Sequence, residues 1–91
     1  MMSLQEVIIC LQFEKSVEGV KQLATQPNTD DLLEIYALYK QATIGNVNTA
    51  SPGMFDIKGK SKWNAWNAKK DMTTEEAMQK YINKVQALAT K

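Results

Sequence analysis

Histidine and arginine are both absent from these 91 residues, and cysteine occurs once, as Cys10. Without histidine the chain cannot build a Ser-His-Asp triad or a Cys-His nucleophile, and one cysteine cannot supply a structural zinc site. One cysteine also excludes an internal disulfide, which fits a reducing compartment such as the cytoplasm. The acids lie at predicted helix caps and polar faces, so no catalytic carboxylate pair is evident. These absences predict a protein that is not an enzyme and needs no metal or cofactor.

All eleven basic residues are lysines, so bidentate guanidinium recognition of a phosphate, a carboxylate or guanine is excluded. Any bound anion must therefore be held by the point charges of ammonium groups. The net charge is +1, which argues against nucleic-acid binding. The distribution is more informative than the sum, because residues 1–57 contain three lysines and seven acids, whereas residues 58–91 contain eight lysines and three acids.

A short apolar run, Val7–Leu11, lies near the N-terminus. It has five residues, follows Glu6 and has no basic segment before it, so it is too short for a membrane span and lacks the pattern of a signal sequence. We therefore expect a cytoplasmic protein with an irregular N-terminal extension, residues 1–12. The remaining length, residues 13–91, is enough for one domain with its own core.

Helical periodicity predicts four helices, and no alternating strand pattern competes with it. Capping residues, a proline and a glycine mark their ends, which gives helices over residues 13–25, 28–44, 59–70 and 73–89. Residues 45–58 contain glycine, asparagine, serine and proline, a composition that predicts a long loop. The pattern indicates an all-α, antiparallel four-helix bundle. The long loop would allow the second and third helices to run in the same direction.

Helical spacing divides the second predicted helix into three faces. Ile35, Leu38 and Ala42 form a core stripe. Glu34, Ala37 and Gln41 share a mostly polar side. Leucines at one end of the third face, and tyrosines with a lysine at the other, suit an amphiphile with an apolar tail and a charged head group. On spacing alone the alternative stays open that the tyrosines are core residues with hydroxyls at the surface. This third face contains Leu32, Leu33, Tyr36, Tyr39 and Lys40.

A second basic and aromatic segment follows the long loop, with Trp63 and Trp66 next to three lysines at positions 58, 60 and 62. In isolation these lysines would be a solvated face, and the tryptophans would be core residues of a small bundle. Together with the Tyr-Lys face of the second helix, they indicate a ligand that has both a stackable ring and phosphates.

Three segments, YKQATIGNVN (39–48), SPGMFDIKGKSKWNAWN (51–67) and EEAMQKYINKV (75–85), resemble the acyl-CoA-binding protein family, whose members are also called diazepam-binding inhibitors or endozepines. The resemblance runs collinearly from Phe13 to about Ala89. It implies a four-helix bundle of up-down-down-up order that binds long-chain fatty acyl-CoA esters with 1:1 stoichiometry. Such a protein carries and buffers its ligand without chemical change. An alternative function is that of an endozepine-type regulatory polypeptide acting on a receptor.

The resemblance also implies the site. The counterparts of Lys40 and Lys62, with the Tyr36 hydroxyl, would hold the 3′-phosphate of coenzyme A. Two tyrosines would form aromatic walls near the adenine, the ribose and the pantetheine, and Lys21 would contact the head group. The full set of implied ligand contacts is Lys21, Tyr36, Tyr39, Lys40, Lys62 and Tyr81, and the implied lining of the acyl-chain groove is Val17, Leu32 and Leu33.

The expected partners are long-chain acyl-CoA and the enzymes that use it, with no nucleic acid and at most transient membrane contact. We expect a monomer, because the bundle and the ligand use the apolar surfaces. The N-terminal extension departs from the family pattern. A helix running back through it would point Ile8 and Leu11 toward water, so we expect that it does not simply continue the first helix. Membrane contact through Val7–Leu11 is a further alternative.

Overall fold

A computed structural model describes residues 3–24 and 26–90, and every regular element among them is an α-helix. The predicted all-α class and the number of helices are confirmed for this part of the chain. In the same residues, no helix is both long enough and apolar enough to cross a membrane. The helices are α1 (Leu4–Val20), α2 (Thr29–Thr43), α3 (Ile57–Asn67) and α4 (Thr74–Ala89).

Pairwise contacts define the direction of α1, α2 and α4. Helix α1 packs along α4 in the same direction, because the sulfur atoms of Cys10 and Met78 are 3.9 Å apart near the start of both helices and Gly19 faces Val85 further along. Helix α2 packs against α4 in the opposite direction. Its first turn pairs with the later part of α4, through an ion pair of 2.7 Å between Asp31 and Lys84.

Helices α2 and α3 run in the same direction. Leu33 and Lys58, each near the beginning of its helix, line one groove, and the indole of Trp66 donates a hydrogen bond of 2.7 Å to the carbonyl oxygen of Gly45 at the other end. The 45–56 connection spans the length of the pair, as its length and composition predict. The helix order is therefore up-down-down-up, which confirms the predicted fold.

The core lies where α4 packs against α1 and α2. Most of it consists of apolar and aromatic side chains at the helical spacing that the sequence displays. Trp66 is also buried, as predicted, whereas Trp63 is only half-buried and donates a hydrogen bond of 2.8 Å to the carbonyl oxygen of Thr49. The buried core cluster is Phe13, Ile35, Leu38, Ala42, Ala77, Tyr81, Ile82 and Val85.

Side-chain caps place the start of α2 and α4 close to the predicted positions. Asn28 Oδ1 accepts a hydrogen bond of 2.8 Å from the Asp31 amide, and Thr73 Oγ1 accepts one of 3.1 Å from the Glu76 amide. Gly45 has a φ of +100°, so it ends α2 in the left-handed region that glycine tolerates. Helix α3 begins two residues earlier than predicted, since Asp56 caps it, and ends at Asn67 before the predicted Lys70.

The prediction for the N-terminal segment is wrong in two respects. Helix α1 begins at Leu4, so the described part of the extension continues the helix, and it ends at Val20; Thr25, the predicted end, lies outside the described residues. Ser3 caps the helix at the Glu6 amide, and no glycine or proline interrupts the segment before Gly19. Local helix propensity therefore decides the conformation, even though Ile8 and Leu11 are 40% and 54% exposed. Division into residues 1–12 and 13–91 stays a prediction.

The polar face predicted for α2 is wrong for two of its three residues, since only Glu34 is partly exposed. Ala37 is fully buried and Gln41 is 1% exposed, because α2 is the central helix and packs against both α3 and α4. The Gln41 amide nitrogen donates to the carbonyl oxygen of Met72 at 2.9 Å and to Oδ1 of Asn46 at 3.0 Å. This residue thus joins the end of α2 to the turn between α3 and α4.

Candidate functional site

Tyr36 is the centre of a basic and aromatic cluster that spans α2 and α3. The ammonium nitrogen of Lys40 lies 5.9 Å from the centre of the Tyr36 ring, and that of Lys62 lies 5.5 Å from it. Spacing of four residues explains why Lys40 shares a face with Tyr36, whereas Lys62 reaches the ring from the neighbouring helix. The structure therefore brings together three of the predicted site residues.

Trp66 on α3 contacts the Lys40 side chain of this cluster. Its ring lies 5.4 Å from the Lys40 nitrogen, and its indole hydrogen bond to Gly45 fixes the ring against the end of α2. Lys40 is half-buried between two aromatic rings, an arrangement that limits the rotamers of its side chain. In isolation the sequence indicated Trp66 as a core residue, and its contact with Lys40 depends on packing between helices.

A groove of about 490 Å³ runs between α2 and α3 and ends at Tyr36. Leu32, Leu33 and Ile57 supply its apolar walls, and Lys62 lies at the same end as Tyr36. No carboxylate is among its lining residues in the described part of the chain, so an anion would meet lysines without a competing acid. We refer to this surface as the α2–α3 groove; its lining is Thr29, Leu32, Leu33, Tyr36, Ile57, Lys58, Ser61 and Lys62.

The other two predicted aromatic site residues, Tyr39 and Tyr81, lie in a second cluster around Phe13. The ring of Phe13 stacks on Tyr39 with centroids 6.0 Å apart and meets Tyr81 edge-on at 5.0 Å. Tyr39 is 40% exposed, whereas Tyr81 is buried. Burial, and secondarily the nearby Tyr39, raises the pKa of the Tyr81 hydroxyl above its ordinary value of 10.0, so this group is neutral at physiological pH.

Tyr39 also faces a groove of about 550 Å³ between α1 and α2, which we call the α1–α2 groove. Val17 lies here, and the structure thus separates it from Leu32 and Leu33, which line the α2–α3 groove. Glu14 and Glu18 line the α1–α2 groove without a lysine among its described lining residues. Its charge is therefore opposite in sign to that of the α2–α3 groove, and phosphates are favoured only in the latter.

Lys21 lies at the end of α1, where its ammonium group is 3.6 Å from a carboxylate oxygen of Glu18. Both side chains are largely exposed, so this ion pair contributes little to stability and leaves Lys21 able to reorient. Among the described residues, Lys21 lines neither groove. The sequence-based prediction places six residues in one site. The structure divides them into the cluster around Tyr36, the aromatic cluster of Tyr39 and Tyr81, and the separate Lys21.

Three contributors to the α2–α3 groove, Thr29, Ile57 and Ser61, were not predicted from the sequence. Ile57 and Ser61 face the groove because α3 begins at Ile57 and runs in the same direction as α2. Helical spacing of four residues could have paired these two positions. Spacing alone could not show that this side of α3 faces α2, because that depends on the relative direction of the two helices.

Comparison with known proteins yields concordant matches. The family model described as "Acyl CoA binding protein" matches residues 11–85. A curated relative from the genus Hypsibius, named "Putative acyl-CoA-binding protein", is 51% identical over 80 residues, which cover 88% of this chain and 90% of the relative. The crystal structure of Oryza sativa acyl-CoA-binding protein 2 is 43% identical with a TM-score of 0.86, and the match covers 90% of this chain and 91% of that one. The crystal structure of ACBP from Moniliophthora perniciosa is 38% identical with a TM-score of 0.80, covering 89% and 83%.

Proposed function

This chain belongs to the acyl-CoA-binding protein family, and we propose that it binds one long-chain fatty acyl-CoA, carrying and buffering the ester without chemical change. The observation that carries the proposal is the α2–α3 groove, which has leucines along its walls and two lysines near Tyr36 at its end. An amphiphile with an anionic head and an apolar tail matches both parts of this groove.

The head group binds where ammonium groups converge without a competing carboxylate. In this proposal Lys40 and Lys62 neutralise the 3′-phosphate of coenzyme A, and the Tyr36 hydroxyl donates a hydrogen bond to it. Lysines without arginine make this recognition electrostatic and therefore weaker at high salt. Lys21 pairs with Glu18 in the free protein and turns to a head-group phosphate when the ligand is bound.

The tail supplies most of the binding free energy. Each buried methylene contributes about 0.8 kcal/mol, so roughly 14 of them supply on the order of 10 kcal/mol before the cost of ordering the ligand. Leu32 and Leu33 provide the apolar contact along the α2–α3 groove, and Val17 adds contact on the far side of Tyr39. Affinity then rises steeply with acyl-chain length.

The adenine, ribose and pantetheine lie against Tyr39, the exposed member of the aromatic cluster. Tyr81 is buried and packs against Phe13 and Tyr39. Its contribution is therefore to hold the exposed Tyr39 ring in place. The carboxylates of the α1–α2 groove keep phosphates away from this wall and accept hydrogen bonds from uncharged donor groups.

The wider role follows from the ligand. A monomeric carrier in the cytoplasm would deliver acyl-CoA to enzymes that use it and make at most transient contact with membranes. In this proposal the ester leaves unchanged, and the described residues of the two grooves include no histidine and no evident catalytic pair. The comparisons do not favour the alternative of an endozepine-type regulatory polypeptide.

Calorimetric titration with palmitoyl-CoA, coenzyme A and palmitate tests the proposal. We expect one tight site for palmitoyl-CoA and weak binding of the other two, because each lacks either the tail or the phosphates. Equal affinity for palmitate and palmitoyl-CoA would show that the lysines have no part in recognition. Absence of binding by all three would reject the carrier function outright.

A further inference from the structure

Met54, Phe55 and Ile57 form an exposed apolar patch at the start of α3. Their exposed fractions are 73%, 93% and 75%. Neither the hydrophobic core nor the aromatic clusters contain them, and only Ile57 lines the α2–α3 groove, so the exposure of Met54 and Phe55 is not explained by the fold. We call these three residues the 54–57 patch. A contiguous apolar patch next to polar surface is typical of a docking site rather than of a free surface.

Lysines follow this patch along α3. Residues 54–62 contain three lysines, Lys58, Lys60 and Lys62, and one acid, Asp56, whose carboxylate accepts the Gly59 amide hydrogen bond at 3.0 Å. The lysines lie in the first turns of α3, where the helix dipole disfavours cations, so helix stability does not explain them. A partner that is apolar and anionic at once would satisfy both the patch and the lysines.

A second exposed apolar surface lies on a helix of opposite net charge. Leu4, Ile8 and Leu11 form an exposed stripe on α1 at helical spacing. Helix α1 contains three acids and one lysine, Lys15, which follows Leu11 by one turn. Residues 54–62 contain three lysines and one acid. An anionic surface is therefore favoured by the charge around the 54–57 patch and disfavoured by the net charge of α1.

We propose that the 54–57 patch, with Lys58 and Lys60, docks the protein on bilayers that expose anionic lipid head groups. Phe55 and Met54 enter the boundary between head groups and acyl chains, and the lysines contact the phosphates and carboxylates above it. Ile57 and Lys58 also line the α2–α3 groove, so its mouth faces the bilayer. This last point rests on the proposed function, whereas the exposure and the charge of the patch do not.

Cosedimentation of the full-length protein with vesicles free of acyl-CoA tests the docking surface. We expect binding to vesicles of phosphatidylcholine with roughly one third phosphatidylserine, weakening as salt is added, and little binding to phosphatidylcholine alone. Phe55→Gln should weaken binding about tenfold and Lys60→Gln about fivefold. The matched controls on α1, Leu11→Gln and Lys15→Gln, should bind like the wild type.

Three results would overturn the proposal: no binding of the wild type to the anionic vesicles, undiminished binding of the Phe55 variant, or an equal loss in the Leu11 variant. The last result would move the contact to α1. Circular dichroism melting confirms that each variant is folded. Because these vesicles contain no acyl-CoA, failure here leaves the calorimetric result for the proposed function unaffected.

A second measurement locates the contact directly. Phe55→Trp places an emitting ring in the patch, and brominated phosphatidylcholine in the anionic vesicles should quench its additional emission relative to the wild type. Leu11→Trp, the control on α1, should show no such quenching. Equal quenching of both variants, or of neither, would contradict docking through the 54–57 patch.

Discussion

The ammonium nitrogen of Lys62 on α3 lies 5.5 Å from the centre of the Tyr36 ring on α2. Lys40 approaches the same ring at 5.9 Å from one turn further along α2. Two like charges directed at one ring repel each other, and an anion placed between them would relieve that repulsion. These two ammonium groups supply the positive charge of the proposed phosphate site.

Removing the Lys62 ammonium group tests this arrangement. We expect Lys62→Ala to weaken palmitoyl-CoA binding about tenfold or more, since a hydrogen bond to a charged group contributes about 1.5–3 kcal/mol. Its melting temperature should hardly change, because Lys62 is exposed. Lys80→Ala, which removes an exposed lysine of α4, is the matched control for calorimetry. Similar losses in both variants would indicate a general charge effect instead of a phosphate contact.

Helix α1 offers a matched pair of apolar substitutions in the N-terminal segment. Ile9 packs against the core cluster, whereas Leu11 is exposed. We expect Ile9→Ala to lower the free energy of unfolding by about 1–2 kcal/mol. Leu11→Ala should change it by less than about 0.5 kcal/mol. Urea titration measures both, and equal small effects would mean that this part of α1 does not contribute to the fold.

Asn46 joins three segments through its side chain. Its Oδ1 accepts hydrogen bonds from the Gln41 amide at 3.0 Å and from the Asp71 backbone amide at 2.7 Å, at a turn where Asp71 has a φ of +70°. Asn46→Ala should lower the free energy of unfolding by about 1–2 kcal/mol, because the Asp71 amide loses this acceptor and the Gln41 amide keeps only the Met72 carbonyl. Thermal melting compares it with Asn48→Ala, an exposed asparagine of the same loop. Equal melting temperatures for the two variants would contradict the prediction.

Tyr81 makes the free energy of unfolding depend on pH in the alkaline range. Its pKa in the folded protein is raised by burial and by Tyr39, whereas in the unfolded chain it lies near about 10. The contribution of the neutral hydroxyl is therefore complete below the unfolded pKa and is lost as pH rises through the folded pKa. Urea titrations from about pH 9 to about pH 11 should show a smaller loss for Tyr81→Phe than for the wild type. The two proteins differ only in this hydroxyl, so the difference between their pH profiles is the informative quantity.

The sequence predicts those parts of the fold that local chemistry determines. Asn28 and Thr73 mark helix starts because their side chains cap backbone amides nearby, and Gly45 ends α2 because of its positive φ. Gln41 could not be assigned correctly from the sequence. Its burial depends on α3 and α4 both covering α2, and on acceptors that arrive from distant segments.

The candidate site also has a part that local spacing predicts and a part that depends on packing between helices. Tyr36 and Lys40 are one helical turn apart, so the sequence alone places them on one face. Lys62 joins them only through the packing of α3 on α2, and for that residue the family resemblance was needed. Val17 was expected beside Leu32 and Leu33, yet it lies in the α1–α2 groove. Helical spacing carries no information about which inter-helix groove a residue faces.

The parallel packing of α1 on α4 brings the first and the last helix of the chain together. Phe13, near the beginning, has its edge-on aromatic partner Tyr81 in the final helix. During synthesis the nascent chain therefore cannot complete its core until α4 has left the ribosome, and closing a contact across nearly the whole chain slows that final step. A prematurely terminated product without α4 would expose the apolar faces of both α1 and α2, and cellular proteases would remove it.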